Sequence, residues 1–471
     1  MPAEGSGVDT TTSQSGPPTS TGVTSVWWTA AVLAFGSVMT GLDTSLVNVG
    51  LDVIGRDLQA SLTELQWINS GYLLALAAAL PVCGWLSRRL GAGRLWLWAL
   101  VGFTVTSVLC GLSPNAWALI VTRVLQGLTG GLLIPSGMAI LGQVAGQARM
   151  GRVIAISSVP SILAPAFGPI IGALLIDRFS WHWLFLINLP VGVVGLLLAW
   201  RLVPRGAATQ TGPLDVPGLL LIALGLPLFT YAVAAVAQQQ NLFTPSVATP
   251  LVVAVVVLAL FVRRSLRIPA PLLDLRLAKD RVFAAAASTV VFSSAALFGG
   301  LIVMPLFFQI GLGRDIVDTG LLLMAFSLGA AATFPVAGKL ADSYGGGIVT
   351  LVGLVVTVAS TIPMALLPAD PNLVLVEGLQ VVRGIGLALA GSPVVSAALA
   401  RAQSHQMPDA SAQVNILARL GGASGSALSV VVLSNGLTSD SKADITAAFH
   451  TTFWWLTGMA AIALVLSIWL T

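Results

Sequence analysis

Very few of the chain's 18 acidic and 22 basic residues lie inside its long apolar runs, and those few set the chemistry open to it. Asp43 stands in GLDTSLVNVGL at 41–51, well inside the first run, and Arg123 stands in ALIVTRVLQGLTGG, inside the fourth. A carboxyl group alone in apolar surroundings keeps its proton, whereas one beside a guanidinium gives it up. A pair whose contact or water access changes between two conformations can therefore take up a proton on one side of a membrane and release it on the other. Ionisable groups within membrane-crossing helices are expensive and are kept for function, so Asp43 and Arg123 are read as a proton-handling pair. Gln126 follows Arg123 on the same helical face, and Gly127, Gly130 and Gly131 thin the helix for close neighbours. A fixed brace between two helices is the alternative, and whether the two side chains touch stays open.

Further polar groups sit in later runs. Glu377, Gln380 and Arg383 recur at three-residue steps, which aligns them as one stripe on a helix. Asn415 and Arg419, four apart, form a local pair read as gating or packing. Gly168 and Pro169, preceded by Pro160 and Pro165, cannot keep a regular hydrogen-bond ladder and predict a bent or loose helix. Catalytic constellations are absent from the sequence. His182, His405 and His450 show no ligand spacing, and there is no HExxH, GxSxG or P-loop, so an enzyme, an ATP-driven pump and a metal site are not expected. Cys83 and Cys110 lie in apolar stretches and read as small buried hydrophobes.

These groups need helices in lipid to hold them. A chain that is 56% hydrophobic and 8% charged cannot hide its apolar surface in a water-soluble core, which predicts an all-α integral membrane protein. Fourteen apolar windows of spanning length run from 27–50 to 449–470, among them 153–176 and 181–202. An even number puts both termini on one side. With that side as the cytoplasm, the inside loops carry 15 of the basic residues and the outside loops only Arg56, Arg178, Arg314 and Lys442. The positive-inside rule then predicts a multi-pass protein of the cell (inner) membrane with both termini cytoplasmic. Residues 1–26, rich in Ser, Thr, Gly and Pro, read as a disordered tail. No basic patch interleaved with aromatics exists, so nucleic acid is not an expected partner.

The chain also repeats itself. GWLSRRLGAGRL (84–95) follows the second window and GKLADSYGGGIV (338–349) the tenth, and each precedes, one window later, a helix with an internal arginine, Arg123 or Arg383. The expected organisation is an N-terminal six-helix bundle at 27–202, two extra spans within a linker at 203–282, and a C-terminal six-helix bundle at 283–471. Paired repeats of this kind place a binding site between them near the bilayer midplane.

Six segments, in this order along nearly the whole chain beyond residue 26, resemble the major facilitator superfamily, and within it the fourteen-span drug:proton antiporter group. They are GLDTSLVNVGL, GWLSRRLGAGRL with Gly84, Arg88, Gly91 and Arg94, TRVLQGLTGG, APAFGPIIGA at 164–173, WHWLFLINLPVG at 181–192 and PLLDLRLAKDRVF at 271–283. The sequence departs from that pattern at Arg88, where the family usually has an acidic residue, while the second copy keeps Asp342. It departs again at Ala164 and Ala173, where glycine is preferred.

The resemblance implies a major facilitator fold, no cofactor, and efflux of amphipathic drugs or toxic small molecules by alternating access, driven by the proton gradient. It implies weight on Asp43, Arg123, Gln126, Gly127 and the Gly168–Pro169 segment, and a gating role for the loop residues and Asp342; Glu377, Arg383 and Arg419 are read as gating candidates from their own positions, with the headgroup region the alternative for Glu377 and packing for Arg419. Candidate cavity residues are Trp67, Asn69, Tyr72, Phe167, Phe298, Phe307, Phe308, Gln309, Phe326 and Phe334. The tenth window has no carboxylate in its interior, so neutral, zwitterionic or singly charged substrates fit better than dications. The expected functional unit is a monomer in the bilayer. An exporter of an endogenous metabolite and a passive pore stay open as alternatives.

Overall fold

The computed structural model describes the chain apart from residues 1–20, 146–148, 207, 209–212, 240–243, 270, 404–405, 438–440 and 471, and apart from the side chains at 21–25, 62–63, 158–166, 169–170, 234, 237–239 and 316–317. Most of the expected tail at 1–26 therefore lies outside the described residues, and the first helix begins at Thr21.

The described residues form helices and no strand. In chain order they are α1 (Thr21–Asp57), α2 (Leu62–Leu90), α3 (Ala92–Gly111), α4 (Ala116–Ala145), α5 (Met150–Arg178), α6 (Trp183–Leu186), α7 (Asn188–Leu202), α8 (Val216–Gln239), α9 (Pro245–Arg267), α10 (Arg281–Leu306), α11 (Ile316–Tyr344), α12 (Gly346–Met364), α13 (Leu373–Ala400), α14 (Met407–Gly436) and α15 (Lys442–Ser467). Helices are the outcome because lipid offers no partner for backbone N–H and C=O groups, and an α-helix satisfies them internally. Thirteen of the described segments are long and apolar enough to cross a membrane. The window at 153–176 is also one continuous helix, α5, with part of its side chains outside the described set. The window at 181–202 is interrupted at Ile187, between α6 and α7.

Helix starts follow ordinary capping chemistry. Ser61 and Glu64 make a capping box at α2, while the Asp280 and Asp315 carboxylates accept from Phe283 N and Asp318 N at α10 and α11. Gly91 and Gly345 join α2 to α3 and α11 to α12 with φ of 89° and 87°, a backbone that side chains rarely adopt. They occupy the same place in the two loop motifs. Pro305 ends the regular ladder of α10, and a single π turn, Phe307–Gly311, follows it.

Helices α1 to α7 pack among themselves, as do α10 to α15. Helices α8 and α9 pair with each other, and α8 also packs on α2 and α14. Contacts between the halves gather at the basic ends of their helices. There Met150 and Ile154 of α5 join Val394 and Ala398 of α13 and Met407 of α14 in one apolar cluster. Phe334 of α11 packs with Ala155 of α5, and Ser411 of α14 donates to the Pro135 carbonyl of α4 at 2.9 Å.

Candidate functional site

The site is built where α1, α2, α3, α4, α6 and α7 converge inside the N-terminal half. Gly127 and Gly131 let α4 lie directly on α2, since a Cβ at either would meet the Tyr72 or Leu76 carbonyl. That approach brings Arg123 under the Tyr72 ring, its guanidinium carbon 4.0 Å from the ring centroid, with Phe185 at 5.8 Å. Arg123 Nη1 reaches Asp43 Oδ2 at 2.5 Å, and both side chains are 0% exposed.

The rest of the shell closes on the same carboxylate. Gln126 Nε2 donates to Asp43 Oδ1 at 2.8 Å, and Asn188 Nδ2 donates to that oxygen at 3.3 Å. Ser107 holds both amides, accepting from Gln126 at 3.1 Å and Asn188 at 2.9 Å and donating to the Phe185 carbonyl at 2.9 Å. Gln126 Oε1 accepts from Arg123 Nη1 at 2.8 Å, and Arg123 Nε donates to the Ile68 carbonyl at 3.3 Å. The buried carboxylate thus accepts three hydrogen bonds, one of them from a guanidinium, the company that a charge in the interior requires. The direct contact that the sequence left open is present. Asn188 and Ser107 were not singled out from sequence, although a lone asparagine in the apolar WHWLFLINLPVG was a signal.

A second cluster sits at the basic end, where the sequence pointed to the loop motifs. Arg88 of α2 forms an ion pair with Asp409 of α14, largely buried. Gly84 makes room for it, because a Cβ there would run into the Asp409 carboxylate. In the other copy, Asp342 of α11 accepts from Arg152 N at 3.2 Å and lies 3.7 Å from Arg152 Nε on α5. Arg88 and Asp342 hold the same position in the repeat, and Asp409 and Arg152 are each the third residue of their helices. The two clasps between the halves are therefore the same contact with its charges reversed. The acid missing at position 88 is supplied from the opposite half. Arg94 is exposed and has no part in it.

The C-terminal stripe is divided. Gln380 and Arg383 are buried, but Glu377 is exposed near the start of α13. Asn415 and Arg419 do not pair with each other: Asn415 donates to the Ser411 carbonyl at 2.9 Å, and Arg419 is half-buried. Gly168 packs on Ser45 of α1, and the side chains of Pro160, Pro165 and Pro169 lie outside the described residues.

The candidate cavity residues also separate. Phe307 and Phe308 are core, not lining: Phe307 packs edge-on against Phe449 at 5.3 Å and Phe453 at 5.4 Å. Phe334 is buried in the seam between the halves. Tyr72 caps the ion pair. Asn69 donates to Asn48 at 2.9 Å across α1 and α2, while Trp67, Phe167, Phe298 and Gln309 are exposed and Phe326 faces Arg383. A cavity of about 150 Å³ above the basic-end seal is lined by Met138 of α4, Ser293 and Leu297 of α10, Leu387 and Gly391 of α13, and Asn415 of α14.

A model of the Major Facilitator Superfamily matches residues 33–426. The chain is 34% identical to the multidrug resistance protein B homolog of Mycobacterium tuberculosis over 410 residues, 86% of this chain and 76% of the relative. It is 32% identical to the uncharacterized transporter YebQ of Escherichia coli over 403 residues, 85% of this chain and 88% of that one. A solved structure of the proton:xylose symporter XylE, 13% identical, superposes with a TM-score of 0.64 over 94% of this chain and 95% of the other.

Proposed function

The chain belongs to the Major Facilitator Superfamily, a family of multi-pass membrane transporters and not of enzymes, and from that premise we propose that it exports amphipathic small molecules in exchange for protons. The observation that carries this reading is a fully buried carboxylate, Asp43, held by Arg123, Gln126 and Asn188 within a spanning helix. In this conformation it is enclosed, with none of its surface exposed. Loading a proton requires the shell to open, so the state that opens it is the state that binds the proton. Rocking of the halves about the central cavity provides such a change, and the charge-reversed clasps at the basic ends open and close with it.

The basic ends are assigned to the cytoplasm of a cell (inner) membrane, with the present conformation sealed on that side. A gradient then does work on each cycle, since one charge moved across the membrane is worth about 2.3 kcal/mol per 100 mV. No cofactor is required, and one chain supplies both halves. The multidrug name carried by the M. tuberculosis relative supports drugs as the cargo class. The test is dye efflux from energised cells expressing wild type or Asp43→Asn at equal levels. Loss of uphill efflux in the variant supports coupling at Asp43, and undiminished uphill efflux ends it.

A further inference from the structure

The C-terminal half repeats the architecture around Arg123 but leaves out its acid. Arg383 corresponds to Arg123, and the loop offset puts Phe326 at the place of Tyr72 and Thr361 at that of Ser107. The geometry agrees: the Arg383 guanidinium lies 5.8 Å from the Phe326 ring, and Thr361 lines the same cavity. Where Arg123 meets the Asp43 carboxylate of α1, Arg383 meets Gly300 of α10, and a Cβ on Gly300 would run straight into the Arg383 guanidinium. Arg383, 6% exposed, has one long hydrogen bond, to the Ala296 carbonyl at 3.4 Å, and no carboxylate in ion-pair range among the described residues. Gln380, 1% exposed, lines the neighbouring space with Oε1 unpartnered; its amide can turn either way, so its NH2 can face the same gap.

A buried charge without a partner is costly, so its retention asks for a partner that comes and goes. The void beside Arg383, about 30 Å³, is large enough for a group the size of a carboxylate head. It is not isolated. Ser293, Leu297, Leu387 and Ala390 line both this void and the central cavity. Arg419 adds a second cation on α14, one turn from the cavity-lining Asn415, with no ion-pair partner among the described residues. Every carboxylate of α10 to α15 lies near a helix end, so nothing within this half neutralises the two arginines.

We propose that the Arg383 pocket seats a monovalent anion, and that the cargo is an amphipath whose carboxylate takes the place Asp43 holds in the other half while its apolar body fills the central cavity. This rests on the export reading and sharpens it, from amphipathic compounds in general to anionic ones. In the N-terminal half the arginine is already neutralised and serves the proton; in the C-terminal half the matching arginine is left for the substrate.

The experiment is equilibrium binding to the purified full chain in nanodiscs at neutral pH with no proton gradient, so that a failure of coupling at Asp43 leaves the result untouched. The probes are pyrenebutyrate and its uncharged amide, in low-salt buffer with and without added chloride. Wild type is expected to bind the carboxylate about ten-fold more tightly than the amide. Arg383→Gln should remove that preference while still binding the amide, and Arg383→Lys should keep most of it. Equal affinity of wild type for both probes overturns the proposal without recourse to any variant. A chloride-dependent rise in thermal midpoint, seen in wild type and lost in Arg383→Gln, with no carboxylate preference, upholds the anion seat and overturns the cargo assignment. A preference that is present without added chloride and lost only in Arg383→Gln identifies the cargo carboxylate as the occupant.

Discussion

Arg123 of α4 grips Asp43 of α1 across 2.5 Å, and neither side chain reaches solvent. Breaking one side of a buried pair costs about 3–5 kcal/mol because the other charge is stranded. Asp43→Asn keeps the size and part of the hydrogen bonding but removes the site of protonation. Uphill efflux should fall about ten-fold or more, while downhill exchange of the same dye persists. Uphill and downhill rates in proteoliposomes, measured side by side, decide it.

Arg88 and Asp409 permit a charge-exchange test. Arg88→Asp and Asp409→Arg alone each place like charges in a largely buried contact and should lower the thermal midpoint and transport together. The double exchange gives this clasp the polarity that Asp342 and Arg152 already have. It should recover most of both losses. Two single effects that merely add in the double variant would show that the residues do not act as a pair.

Gly131 sets how closely α4 can lie on α2. A Cβ there meets the Leu76 carbonyl and the Ala79 methyl, neither of which can turn aside. Gly131→Ala should destabilise by about 1–3 kcal/mol through overpacking, more than the roughly 1 kcal/mol that alanine gains over glycine in a helix. Thermal unfolding in detergent is the readout, and a variant as stable as wild type would show that the helices part freely.

Asp280 gives a pH dependence outside the membrane. Its carboxyl is held below the usual range first by the Phe283 N–H that it caps and further by Arg401 at 3.2 Å. A lowered native value means that this contribution is complete above the unfolded value of about 3.9 and is lost as pH falls through the native one. Asp280→Asn keeps the cap without the titration. Its thermal midpoint should therefore change less than that of wild type on acidification below about pH 4.

The spanning helices were legible because lipid enforces long apolar runs, and Asp43 and Arg123 stood out for the same reason. Arg88 was visible as a departure, but its meaning was not, since Asp409 lies in the other half and only the packing of α2 on α14 joins them. Phe307 and Phe308 were misassigned to the cavity because an aromatic run reads alike whether it lines a space or meets Phe449 and Phe453. Glu377 shared a helical stripe with Arg383, yet sits too near the start of α13 to be enclosed. Gly300 gave no signal at all, for only the packing of α10 on α13 sets it against Arg383.

Helix α8 lies along one of the two lines where the halves meet, touching both α2 and α14, and neither α8 nor α9 packs beside α5 and α11 on the other. The two flanks are therefore unequal. The α2–α14 flank carries an added helix, whereas on the α5–α11 flank the two helices pack directly on each other with no added helix against them. The added helices thus give a nearly two-fold molecule a front and a back.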